Sequence, residues 1–247
     1  MTRFIAGLLA LGLLSGCATQ ATGPINDSQS HQAAKANTDI AIHHLREGAL
    51  GSAREKIDRA LKQNPDLIDA HLVAAELELR LDDASQAEAH YQTALAIDET
   101  HGATLNNYAS FLCEQRRTAQ ALLLYDLAAD NRLYAGQALA LANAGRCLAR
   151  VGRQDEAARY WRRALERTPD YPPALRGLAE TALSRGDTDS AWALFSRYTA
   201  ASEETPSLLW LGVRIARAEG DTGRGERLAR RLRERYPESE QSARLIE

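Results

Sequence analysis

Four groupings in this sequence could do chemistry: the adjacent pairs His43-His44 and Asp82-Asp83, an arginine-rich stretch from Arg224 to Arg235, and the cysteines Cys113 and Cys147. A metal site needs ligands that converge, and neighbouring residues on a helix point about 100° apart. His43 and His44 therefore read as two helix-surface histidines. Asp82-Asp83 falls between two apolar-periodic segments, where Asp caps a helix start. The basic stretch contains Arg224, Arg227, Arg230, Arg231, Arg233 and Arg235 around an apolar stripe of Leu228 and Leu232. It reads first as a solvated helix face, and functionally as a docking site for an acidic partner or lipid headgroups. The sequence has no glycine-rich phosphate loop, no HExxH and no nucleophile elbow. The expectation is a protein that is not an enzyme, with no metal, no cofactor and no small-molecule substrate.

Composition narrows the classes further. The 247 residues are 45% hydrophobic and 26% charged, which suits a folded chain with a real core. A net charge of −3 excludes a generally basic nucleic-acid binder. Three cysteines are too few for a disulfide scaffold and too dispersed for a zinc finger.

The third cysteine belongs to the N-terminus. Arg3 precedes the apolar run Phe4 to Leu14, which is 11 residues long. A bilayer span needs about 20 residues, whereas this length suits a signal-peptide core. The run ends in Leu14-Ser15-Gly16-Cys17, which resembles a bacterial lipobox. Residues 1–16 are thus expected to be a lipoprotein signal peptide, with Cys17 as the lipid-attachment residue and the membrane reached through N-terminal acyl chains. Several chains anchor firmly where a single one does not. Ala18, in place of an Asp, favours the outer membrane, with the body facing the periplasm. Residues 17–30 are polar, contain Gly23-Pro24 and read as a flexible tether.

The elements that position everything else come from an internal repeat over residues 31–247. Small residues recur at Ala41, Ala75, Ala109, Gly145, Ala179 and Gly212, with intervals of 34, 34, 36, 34 and 33. A second small series is Ala53, Ala87, Ala121, Ala157 and Ala191. Four residues after each stands Ile57, Tyr91, Tyr125, Trp161 or Phe195. Gly48, Gly152, Gly186 and Gly220 mark a turn between two helices, where a left-handed backbone ends the first. Pro65, Pro169 and Pro237 stop the second helix. Two helices cross closely where one lacks side-chain bulk and the other fills the space. Asn131 to Gly136 holds two extra residues, predicting an irregular loop between the third and fourth units. The sixth unit, from Gly212 to Pro237, reads as one residue longer than the others.

The period and residue roles resemble the tetratricopeptide repeat. That resemblance implies an all-α, right-handed superhelix of about six helix-turn-helix units, with first helices lining a concave face. Cys113 and Cys147 lie near the ends of first helices in the third and fourth units, two positions apart in unit register. Parallel neighbouring helices bring such residues within bridging range, and export exposes them to an oxidising compartment. They are the disulfide candidates, with buried free thiols as the plainer alternative.

Beyond the repeat, the chain resembles the type IV pilus biogenesis and stability lipoproteins, the PilF/PilW family. The stretches that carry this are Leu105 to Glu114 (LNNYASFLCE), Tyr171 to Ala174 with Leu178-Ala179, Leu208 to Ala216 (LLWLGVRIA) and Tyr236 to Ser239. Ala109 departs from the family, which usually has Gly there. The resemblance implies a pilotin-like role, with the pilus secretin subunit as protein partner and assembly of its multimer as the outcome. Polar first-helix positions are the partner-binding candidates: Glu76, Asn106, Ser110, Arg146, Arg176 and Glu180. Asn106 and Asn107 have a competing reading as caps or buttresses of the third helix pair. The competing function is a different exported adaptor that scaffolds envelope enzymes.

Overall fold

A computed structural model describes residues 27–245. Cys17, the signal sequence and most of the expected tether lie outside the described residues. Those described form helices without strands. Six antiparallel pairs follow one another: α1 (Asp27–Arg46) with α2 (Leu50–Gln63), α3 (Ile68–Arg80) with α4 (Ala84–Ile97), and α5 (Gly102–Glu114) with α6 (Thr118–Asp130). Then come α7 (Gln137–Arg150) with α8 (Gln154–Arg167), α9 (Pro172–Ser184) with α10 (Thr188–Ala201), and α11 (Pro206–Glu219) with α12 (Thr222–Arg235). A short α13 (Glu240–Ala243) closes the array against α11 and α12. The first helix begins at Asp27, ahead of the boundary at residue 30 expected from composition.

Every pair is joined by the same turn. In each, one residue takes a left-handed backbone: Gly48, Gly152, Gly186 and Gly220 with φ of 73°, 79°, 74° and 82°, and Asp82 and Arg116 with φ of 59°. The N–H of the next residue then donates back to the first helix, as from Ala49 to His44 O (2.9 Å), Asp83 to Glu78 O (2.9 Å) and Arg117 to Leu112 O (2.8 Å). The same bond recurs at Arg153, Asp187 and Asp221. This six-to-one closure satisfies carbonyls that the helix end would leave orphaned. Asp83, Asp187 and Asp221 also cap the following helices, accepting from Gln86, Ser190 and Arg224 N–H groups. Asp82-Asp83 is therefore a structural pair, one residue bending the chain and the other capping.

The small residues sit at the helix crossings. Ala41, Ala75, Ala109 and Ala179, and all five of the second series, have no exposed surface, and the bulky residues opposite are 1% to 6% exposed. The sixth unit differs from its sequence reading. Gly220 follows Gly186 by 34 residues, so the unit is regular, and the buried Val213 occupies the place given to Gly212. Gly212 instead admits the Phe195 ring of the preceding unit. Four residues link each pair to the next, except at 131–136, where six do. Tyr134 of that longer loop packs over Gly102 and Gly136, where a Cβ would collide with its ring.

Each first helix packs on the next first helix, while no second helix touches another second helix at backbone packing distance. One face of the stack is thus built from α1, α3, α5, α7, α9 and α11. Apolar burial is distributed in clusters along the stack, so stability rests on neighbour contacts.

Units one and two also share a buried polar cluster. Arg54 forks onto both carboxylate oxygens of Glu78, which is 4% exposed. Beside it, His71 Nε2 lies 2.8 Å from Pro65 O, and His71 Nδ1 lies 3.1 Å from His90 Nδ1. A carbonyl accepts only, so Nε2 of His71 carries the proton and Nδ1 accepts from His90. Burial first, and His71 second, hold His90 below the ordinary histidine range; Arg54 acts in the same direction, and Glu78 and Asp58 oppose it. Neutral His90 is favoured by folding, so its contribution is complete above about pH 6.5, the unfolded value, and is lost as pH falls. The melting temperature is expected to drop between pH 7.5 and 5.5 by more in the wild type than in His90→Gln. Identical drops would remove His90 from the account.

Candidate functional site

The face built by the first helices carries the candidate residues in two rows. Glu76, Ser110, Arg146 and Glu180 occupy one position of α3, α5, α7 and α9, and Arg214 continues the row on α11. Asn106 and Arg176 lie one helical turn earlier on α5 and α9. Repetition of the unit, not proximity in sequence, aligns them.

The structure brings four of the six together. A cleft of about 290 Å³ between α7 and α9 is lined by Asn143, Arg146, Arg150, Arg176 and Glu180, with Trp161 in its floor. A smaller one of about 130 Å³ adjoins it between α5 and α7, and Ser110, Glu114 and Tyr125 line its other side. Asn143, Arg146 and Arg150 border both, so the two form one continuous groove. Arg176 and Glu180 face each other at 3.6 Å. Glu76 stands apart on α3, where it accepts from Arg80 at 2.8 Å.

Asn106 does not contribute exposed surface. It is 4% exposed, its amide donates to Asn107 Oδ1 (3.1 Å), and its own Oδ1 accepts from Asn143 (2.9 Å). Asn143 Oδ1 in turn accepts from Arg146 (2.9 Å). The expected contact residue is therefore a buttress: it fixes Asn143, which orients the Arg146 guanidinium. Ser110 Oγ donates to Asn106 O at 3.0 Å, leaving the Tyr125 hydroxyl, 2.9 Å away, as donor to Ser110. Burial holds the Tyr125 phenol above its usual range, so it stays a neutral donor.

Arg150, Asn143 and Trp161 also belong to this site and were not among the sequence candidates. Arg150 could have been found, since it follows Arg146 by four residues and shares its helix face. Asn143 has no comparable signal, because its role depends on the helix opposite. Trp161 reads as a core residue and is one, at 5% exposure, yet its indole also floors the cleft. It enters between α7 and α9 because Gly145 and Gly177 flank it; a Cβ at either would collide with the ring. Its Nε1 donates to Ala142 O at 3.2 Å.

Cys113 and Cys147 end α5 and α7 beside the smaller cleft. Their Cα atoms are 5.9 Å apart and their sulfurs 2.09 Å apart. In the basic stretch of α12, Arg231 and Arg235 pair with Glu204 at 2.6 and 2.9 Å, and Arg224 pairs with Glu219 and Asp221. With Arg233 Nε donating to Ala229 O at 3.4 Å, four of its six arginines are committed within the fold. Among the described residues, no three His, Cys, Asp or Glu gather to hold a metal ion. The site is a groove of hydrogen-bond donors, guanidinium charge and one indole.

The family description "Tetratricopeptide repeat" matches residues 38–102 and 143–206. The chain is 25% identical over 234 residues to the type IV pilus assembly protein PilF of Pseudomonas aeruginosa, covering 94% of this chain and 92% of that one. The crystal structure of PilW, described as a widely conserved type IV pilus biogenesis factor, matches with a TM-score of 0.76 and 29% identity. That match spans 87% of this chain and 99% of PilW. The solved P. aeruginosa PilF structure aligns with a TM-score of 0.74 at 22% identity, over 88% and 98% of the two chains, and supports the fold.

The indole between two glycines makes a direct prediction. Gly177→Ala should destabilise the protein by about 1–3 kcal/mol, as overpacking does, seen as a lower urea midpoint. Combining it with Trp161→Phe should restore part of the loss. An unchanged midpoint in the single variant would show that the ring has room.

Proposed function

The chain belongs to the tetratricopeptide-repeat family, and we propose that it is an outer-membrane lipoprotein of type IV pilus biogenesis that helps the pilus secretin reach the membrane and assemble as a multimer. The observation that carries this reading is the extent of its homology to PilF and PilW, which runs through nearly the whole superhelix and past the generic repeat consensus. The family is one of non-catalytic interaction scaffolds, and the groove's chemistry agrees with that.

The parts fit a physical mechanism. An acylated Cys17 addresses the protein to the membrane, and residues between it and Asp27 let the stack stand off the surface. The groove between α5, α7 and α9 holds a segment of the secretin subunit. Binding on a tether replaces a three-dimensional search by a local one and raises the effective subunit concentration at the membrane. Cys113 and Cys147 form a disulfide in the oxidising periplasm and clamp units three and four beside the longer loop.

A strain lacking the gene should lose heat-resistant secretin multimers from its outer-membrane fraction. Wild type should restore them and Cys17→Ala should not, because the unanchored stack no longer delivers the subunit. Normal multimers in the deletion strain would overturn the secretin reading in favour of another exported adaptor. For the clamp, reduction of the purified protein should cost about 3–4 kcal/mol for a loop of this length. Cys113→Ser should show the lower stability without reductant and no further response to it. Equal stability of both proteins before and after reduction would argue against a bridge.

A further inference from the structure

Charge along the stack changes sign at the junction of units three and four. Residues 27–130 hold 9 Lys and Arg against 17 Asp and Glu, while residues 131–245 hold 20 Arg against 15 Asp and Glu. In the row of equivalent positions, units two to six present Glu76, Ser110, Arg146, Glu180 and Arg214, so both arginines of the row stand in the basic half, with one glutamate between them. Arg150 and Arg176 add to the basic side within the cleft between α7 and α9.

The charge there is not neutralised by the fold. Arg176 has Glu180 at 3.6 Å. Arg146 spends its bond on the neutral Asn143 amide. Arg150 and Arg214 make no hydrogen bond or ion pair among the described residues. Three guanidinium groups thus face one carboxylate around a floor of Trp161 and a wall at Pro173. On the far side of the smaller cleft stands Glu114, so the field changes from acidic at α5 to basic at α7, while Arg176 and Glu180 balance on α9. Guanidinium forks match carboxylates in bidentate geometry, and burial of an apolar neighbour beside them strengthens such pairs.

We propose that the cleft between α7 and α9 receives an acidic segment of a protein chain, with its carboxylates on Arg146 and Arg150 and an apolar side chain against Trp161 and Pro173. This rests on the reading of the first-helix face as the partner surface, and it adds the chemical class and the polarity of what binds. Arg146 is held in position by the Asn106–Asn143 relay, so the binding geometry exists before the segment arrives, which lowers the ordering cost. Uncompensated charge also steers the encounter and makes it salt-dependent.

The test is site-specific photo-cross-linking in cells that make the full-length protein. A photoreactive phenylalanine analogue is placed at position 173 in the cleft and, separately, at position 76 on the acidic half. Cross-linked peptides are mapped by mass spectrometry. The expected result is an acidic protein segment captured at position 173, with yield falling at least tenfold in Arg150→Glu and by less in Arg150→Lys, which keeps the charge but loses the fork. Arg150 has no side-chain partner among the described residues, so its reversal leaves the fold intact; the Arg167→Glu change, exposed at the end of α8, serves as the charge control and should not alter the yield. A neutral or basic segment at position 173, capture of a lipid there, cross-links only at position 76, or a yield indifferent to Arg150→Glu would each overturn the proposal. The secretin reading fails separately: an acidic, Arg150-dependent segment from another protein would keep this inference and discard that partner.

Discussion

The structure depends on one contact repeated along the chain: a large side chain of each of the first five second helices set against small residues of the first helices. Ile57, Tyr91, Tyr125, Trp161 and Phe195 occupy this position in successive units. Alanine or glycine opposite lets the helices cross closely enough for the ring or branch to be enclosed. The contact does two things at once. It holds each pair together, and through Gly177 and Gly212 it locks a pair to the next one. Where the filler is largest, at Trp161, two glycines are needed, and the groove's floor is the result.

Turn chemistry sets the rise of each unit. Six turns use the same left-handed residue and the same back-bond, although only four of those residues are glycine. Asp82 and Arg116 accept a conformation that L-residues enter at a cost of about 1–2 kcal/mol, and packing on either side holds them there. The period therefore survives sequence variation at the turn itself. It is interrupted only at 131–136, where Tyr134 fills the extra space over Gly102.

That interruption coincides with two other changes. The charge of the stack reverses there, and Cys113 and Cys147 of the flanking first helices meet on the groove side, with their Cα atoms 5.9 Å apart. In a one-dimensional array each unit is held by its neighbours, and the longer loop leaves this junction well packed, with α6 lying along α7 and α5 against α7. The disulfide proposed for that junction would keep units three and four in fixed relation. The Asn106–Asn143–Arg146 relay spans the same junction and connects it to the groove.

The sequence by itself determined the all-helical repeat, its period, the turn glycines and the rows of small and bulky residues. Each of these is local or strictly periodic, and a 34-residue spacing is legible without coordinates. It also placed Ser110, Arg146, Arg176 and Glu180 on the first-helix face, because helix phase follows from position. Only the tertiary structure decided that Asn106 turns inward as a buttress, that Val213 and not Gly212 holds the register of the last unit, and that Arg150, Asn143 and Trp161 complete the groove. Those facts depend on which side chain from another unit reaches the residue. Periodicity fixes where a residue points along its own helix, whereas burial, hydrogen-bond partner and charge compensation are set by the neighbour it meets.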